Sequence, residues 1–361
     1  MRVAIDTSFL AMPPSGTGVY LRALLRELPK LDPTLELIEI APSRVPLFGD
    51  GDSLARRLAN RIAADPRLRR GAWELGGVSA AARRVQPDVL HIPSFAAPVI
   101  PTCPLVVTVH DVIPLMLPEY RASAAMRLHL AALTRTIGWA SLVLTPSDAA
   151  AETIAAHLPV PRELIRVTPE AADASFTPAE NPVSAKEQVR KLGITRRYVF
   201  NIAGFDARKN LPLLLEAFAI VKRHVDEPVQ LVIGGAPHTG NEAVFPPLAP
   251  VIERLGLETS VVLTGRVSDT ERLALYQAAD LYVTPSIAEG FGLTALEAMA
   301  CGVPVIVANR SSLPEVVGDG GWHAEPNPGD LSSLMRLVLT NPAVAADLRG
   351  RGLVRAAEFS W

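Results

Sequence analysis

The sequence predicts an α/β protein built from two doubly wound, Rossmann-like domains that face each other across a cleft. Three observations predict it. Apolar runs of strand length alternate with segments of helical period along the whole chain, the pattern of parallel sheets with crossover helices. The 361 residues, 49% of them hydrophobic, exceed one ordinary core and suffice for two. The stretch "EAADASFTPAENPVSAKEQVRKLG" from Glu170 interrupts the alternation with proline, small residues and charges, which is linker composition. The expected organisation is a first domain at 1–175, a linker at 176–187, a second domain at 188–350 and a terminal segment at 351–361.

The elements follow in order. "RVAID" reads as the opening strand, and "GVYLRALLREL" as a helix with Leu21, Leu24, Leu25 and Leu28 on one face. "LELIEI", "PDVLHIP", "PLVVTVH" and "SLVLTPS" are short, apolar and bounded by turn residues, as strands of a parallel sheet are. The second half repeats the design with "RYVFNIAG", "VQLVIGG", "SVVLTG", "DLYVTPS" and "VPVIVAN". "ASLVLTPSDAA" from Ala140 and "ADLYVTPSIAE" from Ala279 share alanine, leucine and the "TPS" ending at the same stage of each half.

Composition excludes several classes. With 35 basic against 37 acidic residues there is no global field to attract nucleic acid. Cys103 and Cys301 are too few and too far apart in sequence for a disulfide framework or a zinc site, and read as small hydrophobes. Asp6 falls where a signal peptide needs its apolar run, and the expectation is a cytoplasmic, non-spanning protein.

The stretch "TPSIAEGFGLTALEAMACGVPVIV" carries the chemistry. A strand ending near Thr284 leads into a helix starting about Gly292 or Leu293 and ending at Gly302. The first amides of that helix, at Gly292, Leu293 and Thr294, make an anion site suited to a diphosphate, and Gly290 and Gly292 allow backbone approach. Glu289 and Glu297 bracket the turn with carboxylate acceptors for sugar and ribose hydroxyls. After the strand "YVFNIAG", Arg208 and Lys209 add two cations in the same domain, at the strand end where open α/β sheets bind ligands. The plainer alternatives are a solvated helix glutamate and solvated loop cations.

In the first half, His110 ends the strand "PLVVTV", where a ligand is met, and His91 is placed similarly on the preceding strand as an acceptor-side candidate. Either can equally be a hydrogen-bonded structural histidine. A dinucleotide-dependent dehydrogenase fits poorly, because "GTGVYL" lacks the third glycine and comes about ten residues after its strand.

"EGFGLTALEAMACGVPVIVANRSSLPEVVGDGG" resembles the signature of glycosyltransferase family 4, in which seven residues separate two glutamates. "GFDARKNLPLLLEAF", "LTGRVSDTERLALYQAADLYVTPS", "TVHDVIPL" and "GTGVYLRALLREL" are also similar to that family, so the likeness covers nearly the whole chain. It implies a GT-B architecture and metal-independent, retaining transfer of a hexose from a GDP-mannose or UDP-glucose type of donor to a glycan or lipid-linked acceptor. The setting it implies is assembly of cell-surface polysaccharide or glycolipid, with no cofactor beyond the donor. A catalytically inactive nucleotide-sugar-binding protein on the same fold is the alternative.

Residue by residue, the resemblance places Glu289 at the donor sugar, Glu297 at the ribose and Lys209 at the diphosphate. Gly290, Phe291, Gly292, Leu293 and Thr294 line the donor, Arg266 and Val267 receive the base, and His110 is the cleft histidine. Gly16, Thr17 and Gly18 resemble the flexible first-domain loop ahead of the first helix. Phe205 stands where the family often has an arginine, and Arg208 is the candidate to replace that cation. The family usually continues past "EFSW" into a helix that crosses back to the first domain, so 351–361 is expected to begin that segment. Finally, "LARRLANRIAADPRLRR" at 54–70 sets Leu54, Leu58 and Ile62 beside six arginines, a pattern for a peripheral helix on an anionic bilayer or for a helix packed on the first domain.

Overall fold

The computed structural model describes residues 1–12, 15–42, 71–96, 100–236 and 241–361. The arginine-rich stretch 54–70 lies outside the described residues. The chain divides into two compact units, Met1–Thr168 together with Trp361, and Pro169–Ser360. The division falls ahead of the expected 176–187 linker because that stretch packs as part of the second unit. Phe176 is buried with its ring edge-on to Tyr276 at 5.7 Å, and the Gln277 side-chain amide donates to the Thr177 carbonyl. What reads as linker composition at Asn181–Pro182 is a helix start: Asn181 caps the helix Pro182–Arg190, accepting from Val183 N at 3.0 Å.

Unit 1 holds a sheet of β1 (Arg2–Asp6), β2 (Glu36–Ile40), β3 (Val89–Ile92), β4 (Leu105–Thr108), β5 (Leu142–Thr145) and β6 (Ile165–Val167). Their order is β2-β1-β3-β4-β5-β6, with every neighbouring pair parallel. The helix Gly16–Leu31 buries Leu21 against Val3 and Ile5, with Leu24, Leu25 and Leu28 packed around them. Gly16, Thr17 and Gly18 do not precede this helix, as the resemblance implied, but form its first turn. Ser15 is the cap, its hydroxyl accepting from Gly18 N at 3.2 Å.

Unit 2 holds β7 (Arg197–Ile202), β8 (Val229–Gly234), β9 (Val261–Gly265), β10 (Leu281–Thr284), β11 (Val305–Ala308) and β12 (Trp322–Ala324), ordered β12-β11-β10-β7-β8-β9 and again parallel throughout. β8, β10 and β11 are buried at every residue, which is why they read as continuous apolar runs. Alternate side chains feed opposite cores: Val199, Leu231 and Val283 pack with Leu214, Phe218 and Met335 on one face of the sheet. Phe200, Val232 and Tyr282 pack with Tyr276, Leu296 and Met299 on the other.

The strand order sets the site. In unit 2 the chain leaves β7 toward β8 on one side and returns to β10 on the other, so the β7–β10 boundary is the topological switch point. Ligands of open α/β sheets bind outside the carboxyl ends of such strands. Among the described residues, no helix is long and apolar enough to cross a membrane.

Candidate active site

The loop after β7 tightens into a turn of 3₁₀ helix at Ala207–Lys209, with the Asp206 carboxylate accepting from Arg208 N at 3.0 Å. This turn is tied to the loop after β10 by Ile287 N donating to the Arg208 carbonyl at 2.8 Å. The tie brings Glu289 to both cations. Arg208 Nη1 lies 2.6 Å from Glu289 Oε2 and Lys209 Nζ 2.5 Å from Oε1, while Arg208 Nη1 also donates to the Ala288 carbonyl at 3.1 Å. The Glu289 side chain is only 11% exposed. Burial alone would raise its carboxyl, but Arg208 and Lys209 outweigh that, with help from the Ser286 hydroxyl, and hold it at about 2. Lys209 is pulled down by burial and by Arg208, with Glu289 and Asp206 opposing.

The turn Gly290–Gly292 then opens the helix Leu293–Ala300. Gly292 has φ +115°, and a Cβ added there would stand 2.9 Å from Leu313 Cδ2, so this position requires glycine. The first-turn amides Gly292, Leu293 and Thr294 have no intrahelical acceptor and carry the positive end of the helix dipole. Gly302, at φ +70°, ends the helix as the sequence suggests, with its N–H donating to the Met299 carbonyl at 2.9 Å.

Glu297 points elsewhere. Its carboxylate accepts from Tyr276 Oη at 2.8 Å and lies 3.4 Å from Arg272 Nη1, both on the helix Asp269–Gln277, and its side chain is 2% exposed. Burial pushes its carboxyl up to about 7, with Arg272 and Tyr276 pulling down and Asp269 and Asp173 pushing up. Arg272 itself lies over the Phe176 ring, 4.9 Å from its centre. The two glutamates are therefore held by different partners on different elements, Glu289 by Arg208 and Lys209 and Glu297 by Tyr276 and Arg272. Tyr276 and Arg272 escape the sequence reading, although their i, i+4 spacing put them on one helix face.

Arg266 and Val267 follow β9 and lead into Ser268, which caps the helix Asp269–Gln277 in a reciprocal box with Glu271. Their link to Glu297 runs through that helix, which carries Arg272 and Tyr276. In unit 1, His91 is buried at the end of β3 and its Nε2 lies 2.8 Å from Thr108 Oγ1; burial, then the neighbouring His110, lowers its pKa to about 4. Thr108 Oγ1 also lies 3.0 Å from Tyr20 Oη, and the Tyr20 ring is edge-on to His110 at 5.1 Å. Tyr20, His91, Thr108 and His110 thus gather at the carboxyl ends of β3 and β4.

Comparisons with known proteins bear on the family and on the fold. The family "Glycosyltransferase Family 4" matches residues 14–176 and "Glycosyl transferases group 1" matches residues 184–353. The O-antigen chain mannosyltransferase B of Escherichia coli is 33% identical over 298 residues, covering 81% of this chain and 74% of that protein. The chain belongs to glycosyltransferase family 4. The serotype-specific mannosyltransferase WbdA of Escherichia coli is 29% identical over 263 residues, 70% of this chain but 31% of that longer protein. The structure of HepE from Anabaena, solved with UDP and glucose, superposes with a TM-score of 0.71 at 18% identity, covering 99% of this chain and 95% of that one. At that identity the likeness speaks for the fold, and it places the chain in the GT-B class expected of this family.

Proposed function

We propose that this family 4 chain is a retaining hexosyltransferase that takes mannose from GDP-mannose, a choice supported by the mannosyltransferases among its relatives, and passes it to a growing cell-surface polysaccharide or lipid-linked glycan. The observation that carries this reading is the cluster of Arg208, Lys209 and Glu289 at the switch point of unit 2, beside the Gly290–Thr294 helix entrance. A diphosphate at that entrance meets amides and two cations. Glu289 balances one positive charge, and Asp206, 3.7 Å from Arg208 Nε, offsets part of the second.

In the proposed step the acceptor hydroxyl oxygen bonds to the anomeric carbon while the bond from that carbon to the β-phosphate oxygen breaks. The departing phosphate takes the acceptor proton on the same face of the sugar. Lys209, Arg208 and the first-turn amides stabilise the charge that develops on the leaving diphosphate, which is preorganised electrostatics rather than base catalysis. Glu297, ionised, takes the ribose hydroxyls. The role assigned to His110 is to orient sugar or acceptor, and no metal is required.

The test is release of GDP from GDP-mannose, followed without acceptor and with extracted lipid-linked glycan. Slow hydrolysis accelerated by the glycan supports transfer. Saturable donor binding with no release in either case would leave a sugar-nucleotide-binding protein that has lost catalysis.

A further inference from the structure

The loop after β11 holds the donor-side loop from behind, through a pair of serines that the reaction itself does not use. β11 is the sheet neighbour of β10, so the loops that follow them run side by side. Ser311 Oγ lies 2.7 Å from the Glu289 carbonyl, to which it donates, and 3.2 Å from Glu289 N, from which it accepts. Both backbone groups of Glu289 thus close on one hydroxyl. Ser312, wholly buried, lies 2.8 Å from the Phe291 carbonyl and 3.0 Å from that of Glu289, so its single proton serves the same turn. The next residue, Leu313, is the one whose Cδ2 crowds Gly292.

Ser311 makes this tie from φ +57°, a left-handed conformation that strains a residue bearing a Cβ. Strain of this kind persists where the surroundings impose it and clusters at functional sites. The tie is also independent of the cations. Arg208 and Lys209, which hold the carboxylate end of Glu289 beside the Ser286 hydroxyl, are cations for which a diphosphate competes, whereas the Glu289 backbone is anchored by a neutral hydroxyl that a diphosphate leaves in place.

We propose that Ser311 is a positioning residue, seconded by Ser312, that keeps Glu289 in register with the donor sugar once Arg208 and Lys209 turn to the diphosphate. This rests on the donor-site reading above and names a residue that acts through Glu289. Two variants isolate the hydroxyl. Ser311→Gly removes it and relieves the backbone strain; Ser311→Ala removes it and keeps the strain.

The measurement is GDP release from GDP-mannose, with melting temperatures taken on the same samples. Both variants are expected to lose turnover alike, about tenfold or more as misplaced contacts do, with KM for GDP-mannose little changed. Ser311→Gly is expected to melt no lower than the parent. A merely structural serine gives the opposite result: Ser311→Gly keeps full turnover, and only the less stable Ser311→Ala loses it. That outcome overturns the proposal. Glu289→Gln, run alongside, separates the two claims. If it retains turnover, or if the parent chain turns over neither GDP-mannose nor UDP-glucose, the donor-site reading fails and takes this inference with it. If Glu289→Gln is dead while Ser311→Gly is fully active, this inference alone fails.

Discussion

Replacing Glu297 by glutamine should make the protein more stable above neutral pH and a poorer binder of its donor. The carboxyl is raised from its ordinary 4.5 to about 7, chiefly by burial. A folded pKa above the unfolded value means that the protonated form is the one folding favours. The stability linked to this group is therefore fully present below pH 4.5 and is lost as pH rises through about 7. A shift of that size corresponds to about 3 kcal/mol, at 1.36 kcal/mol per unit, and the side chain is buried enough for solvent not to screen it away. Glutamine mimics the protonated acid: it still accepts from Tyr276 Oη and carries no charge. Alanine is the worse choice, because it leaves that buried hydroxyl without its acceptor.

The assay is thermal melting of both proteins from pH 5 to pH 8. The variant should match the parent near pH 5 and rise above it progressively, by ~2–4 °C per kcal/mol for a unit of this size. Contributions from histidines cancel in the difference. Donor binding should weaken by about 1.5–3 kcal/mol, the value of hydrogen bonds to a charged group. Melting curves that run parallel across the whole range would refute the claim that a desolvated carboxylate is kept ionised here at a cost in stability.

Three further outcomes follow. Lys209→Ala should lower kcat by about 100-fold with a smaller effect on KM, because its charge meets a diphosphate that becomes more negative as the bond breaks; steady-state kinetics showing a pure KM effect would contradict this. Gly292→Ala, forced to φ +115° against Leu313, should lose about 1–3 kcal/mol in urea unfolding, and an unchanged midpoint would mean that the turn can rearrange. Turnover should be unaffected by a metal chelator, and strict dependence on added Mg²⁺ or Mn²⁺ would remove the cation-only account of the leaving group.

Most of the fold is legible in the sequence because parallel strands buried on both faces write themselves as apolar runs. Strands β6 and β12 escape that reading. Each has three residues at a sheet edge, and Arg166 and His323 break their apolar runs. Within the stretch that reads as a linker, asparagine and proline at 181–182 start a helix, which such residues do as readily as they form a linker.

At the candidate site, Glu289, Arg208, Lys209 and Glu297 are all visible as residues, but their pairing is not. Arg208 and Glu289 are 81 positions apart and meet because β7 and β10 are sheet neighbours, which no local pattern encodes. Ser311 is less visible still, since its role depends on a backbone conformation that the sequence around it does not demand.

The central claim is that the loops after β7 and β10 bind the nucleotide sugar, and backbone hydrogen exchange tests it most directly. The measurement compares exchange with and without saturating GDP-mannose, or UDP-glucose if that donor binds instead. The account predicts slowed exchange at residues 206–210 and 289–295 in the presence of donor, with the protection at 206–210 reduced in Lys209→Ala. Saturable binding that leaves both segments exchanging at their free rates would contradict it.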